Sequence, residues 1–410
     1  MSVPTQPKSF VLRNCKVFDG VSQELLAGRS VRVAGGRIVS LADPAQAQPG
    51  DEVIDLGGAT LMPGLIDAHF HCFSPTLKIA ELDQSPDSYL ASYATKLLEE
   101  TLLRGFTTVR DAGGADVGLV RALADGLIRG PRLLIAGKAL SQTGGHGDQR
   151  SVGAPEPCGC GYSGQLSRLV DGADQMRQTV RDLLHHGAHH IKLFVSGGVL
   201  SPSDPIWMDQ FTDEEIKAAV EEAARRRTYV MAHAHTASAI SRCVNNGVRT
   251  IEHGTLIDRQ AADAVAAAGA FVVPTLSVIE RIRSFPLPQT SLDKLAELAD
   301  GARKSVEICR AAGVRLGLGT DYFGSMHGTE AQELVQRAAV QPAWEVLRSA
   351  TSVNGAIVDP DGLLGRIAPG APADLIAVRG DPLADIGILA DSKNLTLIMK
   401  AGSPVTRLAS

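Results

Sequence analysis

Short runs in which apolar and polar positions alternate lie near both ends of this chain, and longer mixed periods lie between them. Near the start, Phe10-Val11-Leu12, Lys16-Val17-Phe18, Val31-Arg32-Val33 and Gly35-Gly36-Arg37-Ile38-Val39 follow one another. A period of two with a Gly-Gly turn predicts a small antiparallel sheet. The segment closes at Val53-Ile54-Asp55-Leu56-Gly57-Gly58. From about residue 63 the texture changes. Apolar runs at 64–68, 107–110, 132–136, 190–195, 229–232, 250–252, 271–274 and 315–319 alternate with helical patterns such as 86–104, 172–186, 213–227 and 291–312. Eight strand–helix units predict an α/β fold, a (β/α)8 barrel, with a doubly wound sheet as the fallback. Histidine, lysine and aspartate at or just past the ends of several runs favour the barrel, because barrels build their sites there.

The tail returns to β texture. Ile367-Ala368-Pro369-Gly370-Ala371-Pro372 reads as a turn before the strand Leu375-Ile376-Ala377-Val378, and 396–399 reads as another strand. The expected division is 1–62 and 367–410 as two parts of one small β-sandwich, with the barrel, 63–366, inserted between them.

Composition narrows the class without naming a chemistry. The chain has 410 residues, 44% hydrophobic and 21% charged, with a formal net charge of -5. That balance gives no reason to expect nucleic acid or an acidic membrane surface as a partner. No apolar run reaches the roughly 18 residues of a membrane span. The first ten residues lack an apolar signal core, and cysteines at 15, 72, 158, 160, 243 and 309 are scattered. The expectation is a cytoplasmic protein, although a leader already removed would leave no trace. Cys158-Gly159-Cys160 is spaced too tightly for an ordinary disulfide and reads as a loop with free thiols.

The candidate chemistry starts at Asp67-Ala68-His69-Phe70-His71. On a strand, i and i+2 share a face, so both imidazoles can reach one metal ion. Lys192 stands inside an apolar run, where an unpaired cation is costly. His233, His253 and Asp321 each end a run. Each residue has a bland reading: a hydrogen-bonded histidine, a lysine reaching the rim, an aspartate capping the next helix. The bland account must hold for all of them together, on five units of one fold.

With these motifs, and with Ile251-Glu252-His253-Gly254 and Gly319-Thr320-Asp321, the chain resembles the amidohydrolase superfamily of metal-dependent hydrolases over nearly its whole length. The narrower resemblance is to prolidase-like dipeptidases and ochratoxin-hydrolysing amidases. It is carried by Gly144-Gly145-His146-Gly147-Asp148, by the run from Lys192 to Pro202, and by His233-Ala234-His235-Thr236. The resemblance implies two divalent ions, zinc first among candidates. His69, His71 and Asp321 would hold one and His233 and His253 the other, with Lys192, carboxylated on its amine, bridging them. It implies Asp321 as the proton carrier when activated water attacks an amide carbonyl, and it implies a homo-oligomer, octamers included. His233 or His235 can fill the ligand position. The resemblance places His233 there and makes His235 a substrate group.

Other residues are weighed beside these. His146, between glycines, is a candidate for substrate contact and carbonyl polarisation. Arg110 can reach a substrate carboxylate or pair internally with an acidic residue, and His327 is a rim candidate for the substrate. His185, His186, His189 and His190 read as structural or solvent-facing. The expected reaction releases a C-terminal amino acid from an N-acyl amino acid or dipeptide, with ochratoxin A among the fitting substrates. An imidazolonepropionase-like cyclic amide hydrolase or deaminase is the alternative, against which Lys192 counts. A non-catalytic scaffold would have lost ligands.

Overall fold

The computed structural model describes residues 9–42, 47–151, 153 and 163–407. Cys158 and Cys160 lie outside the described residues. The fold is α/β. Eight segments in chain order match the eight apolar runs: Leu65–Phe70, Phe106–Asp111, Arg132–Leu134, Ile191–Phe194, Val230–Thr236, Thr250–Leu256, Phe271–Val273 and Arg315–Leu316. Every pairing among them is parallel. The third run is broken: Arg132–Leu134 pairs with the second strand, and Ala139–Ser141 pairs with the fourth. Backbone bonds also join the first run to the last. Ala68 N donates to Leu318 O (2.9 Å) and Asp321 N to His69 O (2.8 Å).

Helices follow the strands where the sequence predicts them, at Asp87–Leu103, Ala173–His185, Asp213–Arg225 and Gln289–Ala311. The helix Asp213–Arg225 begins in a capping box. Thr212 accepts from Glu215 N, and the Glu215 carboxylate accepts in return from Thr212 N. It buries Ile216, Ala219 and Ala223, one stripe at helical spacing.

Both ends of the chain enter one eight-stranded sheet. Leu375–Val378 lies antiparallel to Thr60–Pro63, which stitches tail to head. Alternation explains how this sheet is buried on two sides. Leu61, Leu375, Ala377, Leu397 and Met399 face a core shared with Phe10, Leu12 and Val33. Met62, Ile376, Val378 and Ile398 face the other way, onto Leu65 and Phe106 of the first two parallel strands. The Gly35-Gly36 turn has both residues at positive φ (58° and 77°), the conformation a two-residue hairpin needs. One final strand, Ser403–Arg407, goes beyond the sequence expectation.

Candidate metal centre and active site

His69, His71 and Asp321 meet at the C-terminal ends of the first and last parallel strands. Their ligating atoms lie within 4.8 Å of one another. His69 Nε2 is 3.3 Å and His71 Nε2 3.2 Å from Asp321 Oδ1. The other nitrogen of each ring is tied back to the protein. His69 Nδ1 donates to Glu252 Oε2 (2.8 Å), and His71 Nδ1 donates to the Gly113 carbonyl (3.1 Å). Such partners fix the ring and leave the second nitrogen with its lone pair available, the arrangement metal-binding histidines use.

The same holds next door. His253 Nδ1 lies 2.8 Å from Thr275 Oγ1, His235 Nδ1 lies 3.0 Å from Thr255 Oγ1, and His233 Nε2 donates to the Gly197 carbonyl (3.1 Å). Ring centroids of His233 and His253 are 4.6 Å apart, and those of His69 and His253 are 4.9 Å apart. Burial pushes the His233 and His253 imidazoles well below their usual value, and His235 down to about 3, so all three are neutral near pH 7.

Strict alternation would send Glu252 and His253 to opposite faces of their strand. Both nevertheless serve this site. His253 has φ of 70°, an uncommon left-handed conformation that lets its ring turn inward beside Glu252, and Asp321 shares it at 56°. Two side chains at one site held in this sparsely populated region mark a place where the surrounding structure imposes the backbone.

Lys192 is 1% exposed and opens into the same cleft. Its amine has no hydrogen-bond or ion-pair partner among the described residues; the Phe194 ring lies 5.4 Å away. Burial lowers its pKa to about 8. An unpaired lysine on a strand facing three carboxylate- and imidazole-bearing strand ends is chemically incomplete as a cation.

The chain's own donor set therefore fits divalent metal: neutral imidazoles with their second nitrogens engaged, one convergent carboxylate, and one buried amine without a partner. Above them, the cleft opens to solvent. His146, Gln149 and His235 are polar members of its wall, and Leu77, Ile79, Val278, Ile279, Leu295 and Leu298 are apolar ones.

Two substrate-contact expectations need correction. Arg110 does not face the cleft. It is fully buried, donating to the Ala68 carbonyl (2.6 Å), Thr250 Oγ1 (3.1 Å) and Glu252 Oε1 (2.8 Å). The internal pairing wins because a buried guanidinium needs a counter-charge, and Glu252 supplies it. Burial alone would raise the Glu252 pKa, yet Arg110 and His69 hold it down at about 2. His327 is also turned away. Its Nε2 sits 2.9 Å from Ser74 Oγ, and its ring packs on Phe70 at 5.1 Å. Phe323 takes the rim position instead, 4.7 Å from the His71 ring. Of the remaining histidines, His185, His186 and His189 are exposed. His190 is buried with Nε2 donating to the Asp111 carbonyl, away from the cleft.

Sequence reasoning quoted Glu252 without giving it a role, and missed Thr255, Thr275 and Gly113, which orient the imidazoles. A carboxylate immediately before His253 was a usable signal for Glu252. The threonines and a carbonyl carry no such signal.

This constellation could hold divalent metal, and comparison with known proteins places the chain among hydrolases. Residues 60–405 match the amidohydrolase family. The chain belongs to that family and is a hydrolytic enzyme acting on amide bonds. It is 34% identical to an ochratoxinase of Aspergillus niger over 360 residues, covering 83% of this chain and 75% of the relative. A prolidase solved in complex with N-methylphosphonate-L-proline superposes with a TM-score of 0.93 at 43% identity, covering 98% of this chain and all of that one. A Xaa-Pro dipeptidase solved with bound methionine gives 0.86 at 31% identity over 97% of this chain and 99% of its own. No helix among the described residues is long and apolar enough to cross a membrane.

Proposed function

We propose that this chain is a binuclear metal-dependent hydrolase that releases a C-terminal amino acid from an N-acyl amino acid or dipeptide, ochratoxin A included. The observation that carries the reading is the buried amine of Lys192, without a hydrogen-bond or ion-pair partner among the described residues, in one cleft with His69, His71, His233, His253 and Asp321. Carboxylation would turn that amine into an anion fit to bridge two cations. His69, His71 and Asp321 would hold one ion, and His233 and His253 the other. The ions, zinc first among candidates, would supply Lewis acidity toward water and the amide carbonyl.

The chain's own groups do the rest. Asp321 accepts a proton from the attacking water and returns it to the amide nitrogen as the C–N bond breaks. As a metal ligand Asp321 would be deprotonated, so it would enter the cycle as a carboxylate. His146 and His235 stand in the cleft wall where they can donate to the substrate's carbonyl or carboxylate oxygen. The aliphatic wall excludes water and accepts an apolar acyl or amino-acid side chain.

The eight parallel strands, with bonds from first to last, are read as a (β/α)8 barrel over 63–366. The shared sheet is read as a small β-sandwich domain from 1–62 and 367–410. A homo-oligomer, up to an octamer, is part of the same reading, as is a cytoplasmic setting. The test is metal stoichiometry on the purified protein. Two equivalents per chain are expected, with Lys192→Ala losing at least one equivalent and most activity, partly restored by short carboxylic acids. Two tightly held ions in Lys192→Ala would refute the bridge. One ion in the wild type would favour the cyclic-amide or deaminase alternative.

A further inference from the structure

His146 is held by a buried network that reaches well beyond the cleft. Its Nδ1 is 2.8 Å from Ser201 Oγ and 3.5 Å from Asp204 Oδ2. Its backbone N–H donates to Gln210 Oε1 (2.9 Å). Gln210 is oriented in turn by Asp204, whose Oδ2 accepts from Gln210 Nε2 (3.2 Å) and from Gly198 N (3.1 Å). One carboxylate thus bears on the ring of His146 directly and on its backbone through a single intermediary.

Asp204 is itself completely buried, and its Oδ1 accepts no hydrogen bond among the described residues. The charge facing it is Lys294, with Nζ 3.7 Å from Oδ1. Lys294 is a buried cation on the helix Gln289–Ala311. It donates to the Gly198 carbonyl (3.0 Å) and the Ser201 carbonyl (2.9 Å). The same helix gives Ser291 Oγ to the Val199 carbonyl (2.8 Å) and sends Leu295 and Leu298 into the cleft. Gly198 lies flat against the imidazole, and a β-carbon there would overlap the His146 ring. Burying an Asp–Lys pair is expensive unless both ions are satisfied, and hydrophobic residues would staple two segments at lower cost. What a charged pair adds is direction. It specifies where the nitrogens of His146 point, leaving Nε2 in the cleft wall without a hydrogen-bond partner among the described residues.

We propose that Asp204 and Lys294 are positioning residues for His146, coupling the orientation of this imidazole to the helix that walls the cleft. The inference rests on the reading of His146 as a substrate donor. A double-mutant cycle separates the two. Asp204→Asn, Ser201→Ala and Lys294→Met are each made in the wild type and in His146→Ala, using the fastest-cleaved member of a panel of dipeptides, N-acyl amino acids and ochratoxin A. Metal content is measured on every variant. Each substitution is expected to lower kcat/KM at least tenfold in the wild type and less than threefold in His146→Ala, with metal content unchanged. Amide hydrogen exchange over residues 143–151 supplies a readout independent of any substrate. It should accelerate at least fivefold in Asp204→Asn, or in Lys294→Met if the aspartate variant does not fold. Losses that multiply fully in the His146→Ala background, or unchanged exchange, would overturn the inference while leaving His146 as a donor. Full activity in His146→Ala would overturn that donor role and this inference with it.

Discussion

Glu252→Gln isolates the deepest part of the site. In the wild type, one carboxylate serves three groups: Oε1 accepts from Arg110 (2.8 Å) and from Thr250 Oγ1 (2.7 Å), and Oε2 accepts from His69 (2.8 Å). Arg110 is fully buried, and its other partners, the Ala68 carbonyl and Thr250 Oγ1, are neutral. Removing the negative charge leaves a buried guanidinium without a counter-ion, which costs about 3–5 kcal/mol. For 410 residues the unfolding entropy is roughly 0.9 kcal/mol/K. The metal-free protein should therefore melt about 3–6 °C lower. His69 also loses its charged acceptor, and metal affinity should fall roughly 10- to 100-fold. Scanning calorimetry of the metal-free protein and a competitive chelator titration read the two effects separately. In Arg110→Met/Glu252→Met, most of the stability should return because no charge is left buried, but metal affinity should stay low. Melting within about 1 °C of wild type for Glu252→Gln would refute the charge-pair reasoning. Recovery of metal affinity in the double variant would refute the link through His69.

Other outcomes follow from the same geometry. Glu252 and Glu330 both have folded pKa values of about 2 against an ordinary 4.5. In each, burial opposes ionisation but is outweighed, by Arg110 and His69 for the first and by His327 and Arg104 for the second. The unfolded chain binds more protons than the folded one across that window, so stability is lost as pH falls from about 4.5 toward 2. Urea midpoints should drop from pH 5 to pH 3, less steeply in Glu330→Gln; a flat profile in the wild type would contradict this. His146→Ala and His235→Ala should each impair hydrolysis with metal content intact, as elemental analysis will show. Gly198→Ala should lower kcat/KM at least tenfold without loss of metal, because the added carbon displaces the His146 ring.

The strand–helix rhythm was readable because the parallel strands are predominantly apolar runs, and His69, His71, Lys192, His253 and Asp321 were readable because they interrupt or end such runs. The limits have physical causes. His233 and His235 share a face by the same period of two that unites His69 and His71, so spacing alone cannot assign one as ligand. Arg110 stands at a strand end like the site residues, but its length lets it reach back to Glu252, and that pairing depends on register between strands distant in sequence. His253 belongs to the site through a left-handed backbone that no alternation rule anticipates. Asp204, Gln210 and Lys294 converge on His146 from a loop and a helix, so nothing local in the sequence brings them together.

The proposed activity is metal-dependent hydrolysis beside a free C-terminal carboxylate. The most direct measurement follows free amino acid released from matched N-acyl amino acids, dipeptides and ochratoxin A, each with its C-terminally amidated partner, before chelation, after it, and after zinc is restored. Release should disappear with the chelator and return with zinc. kcat/KM should be more than tenfold higher for free acids, at least about 1.4 kcal/mol of transition-state binding. Release that survives chelation, or equal cleavage of acids and amides, would contradict it.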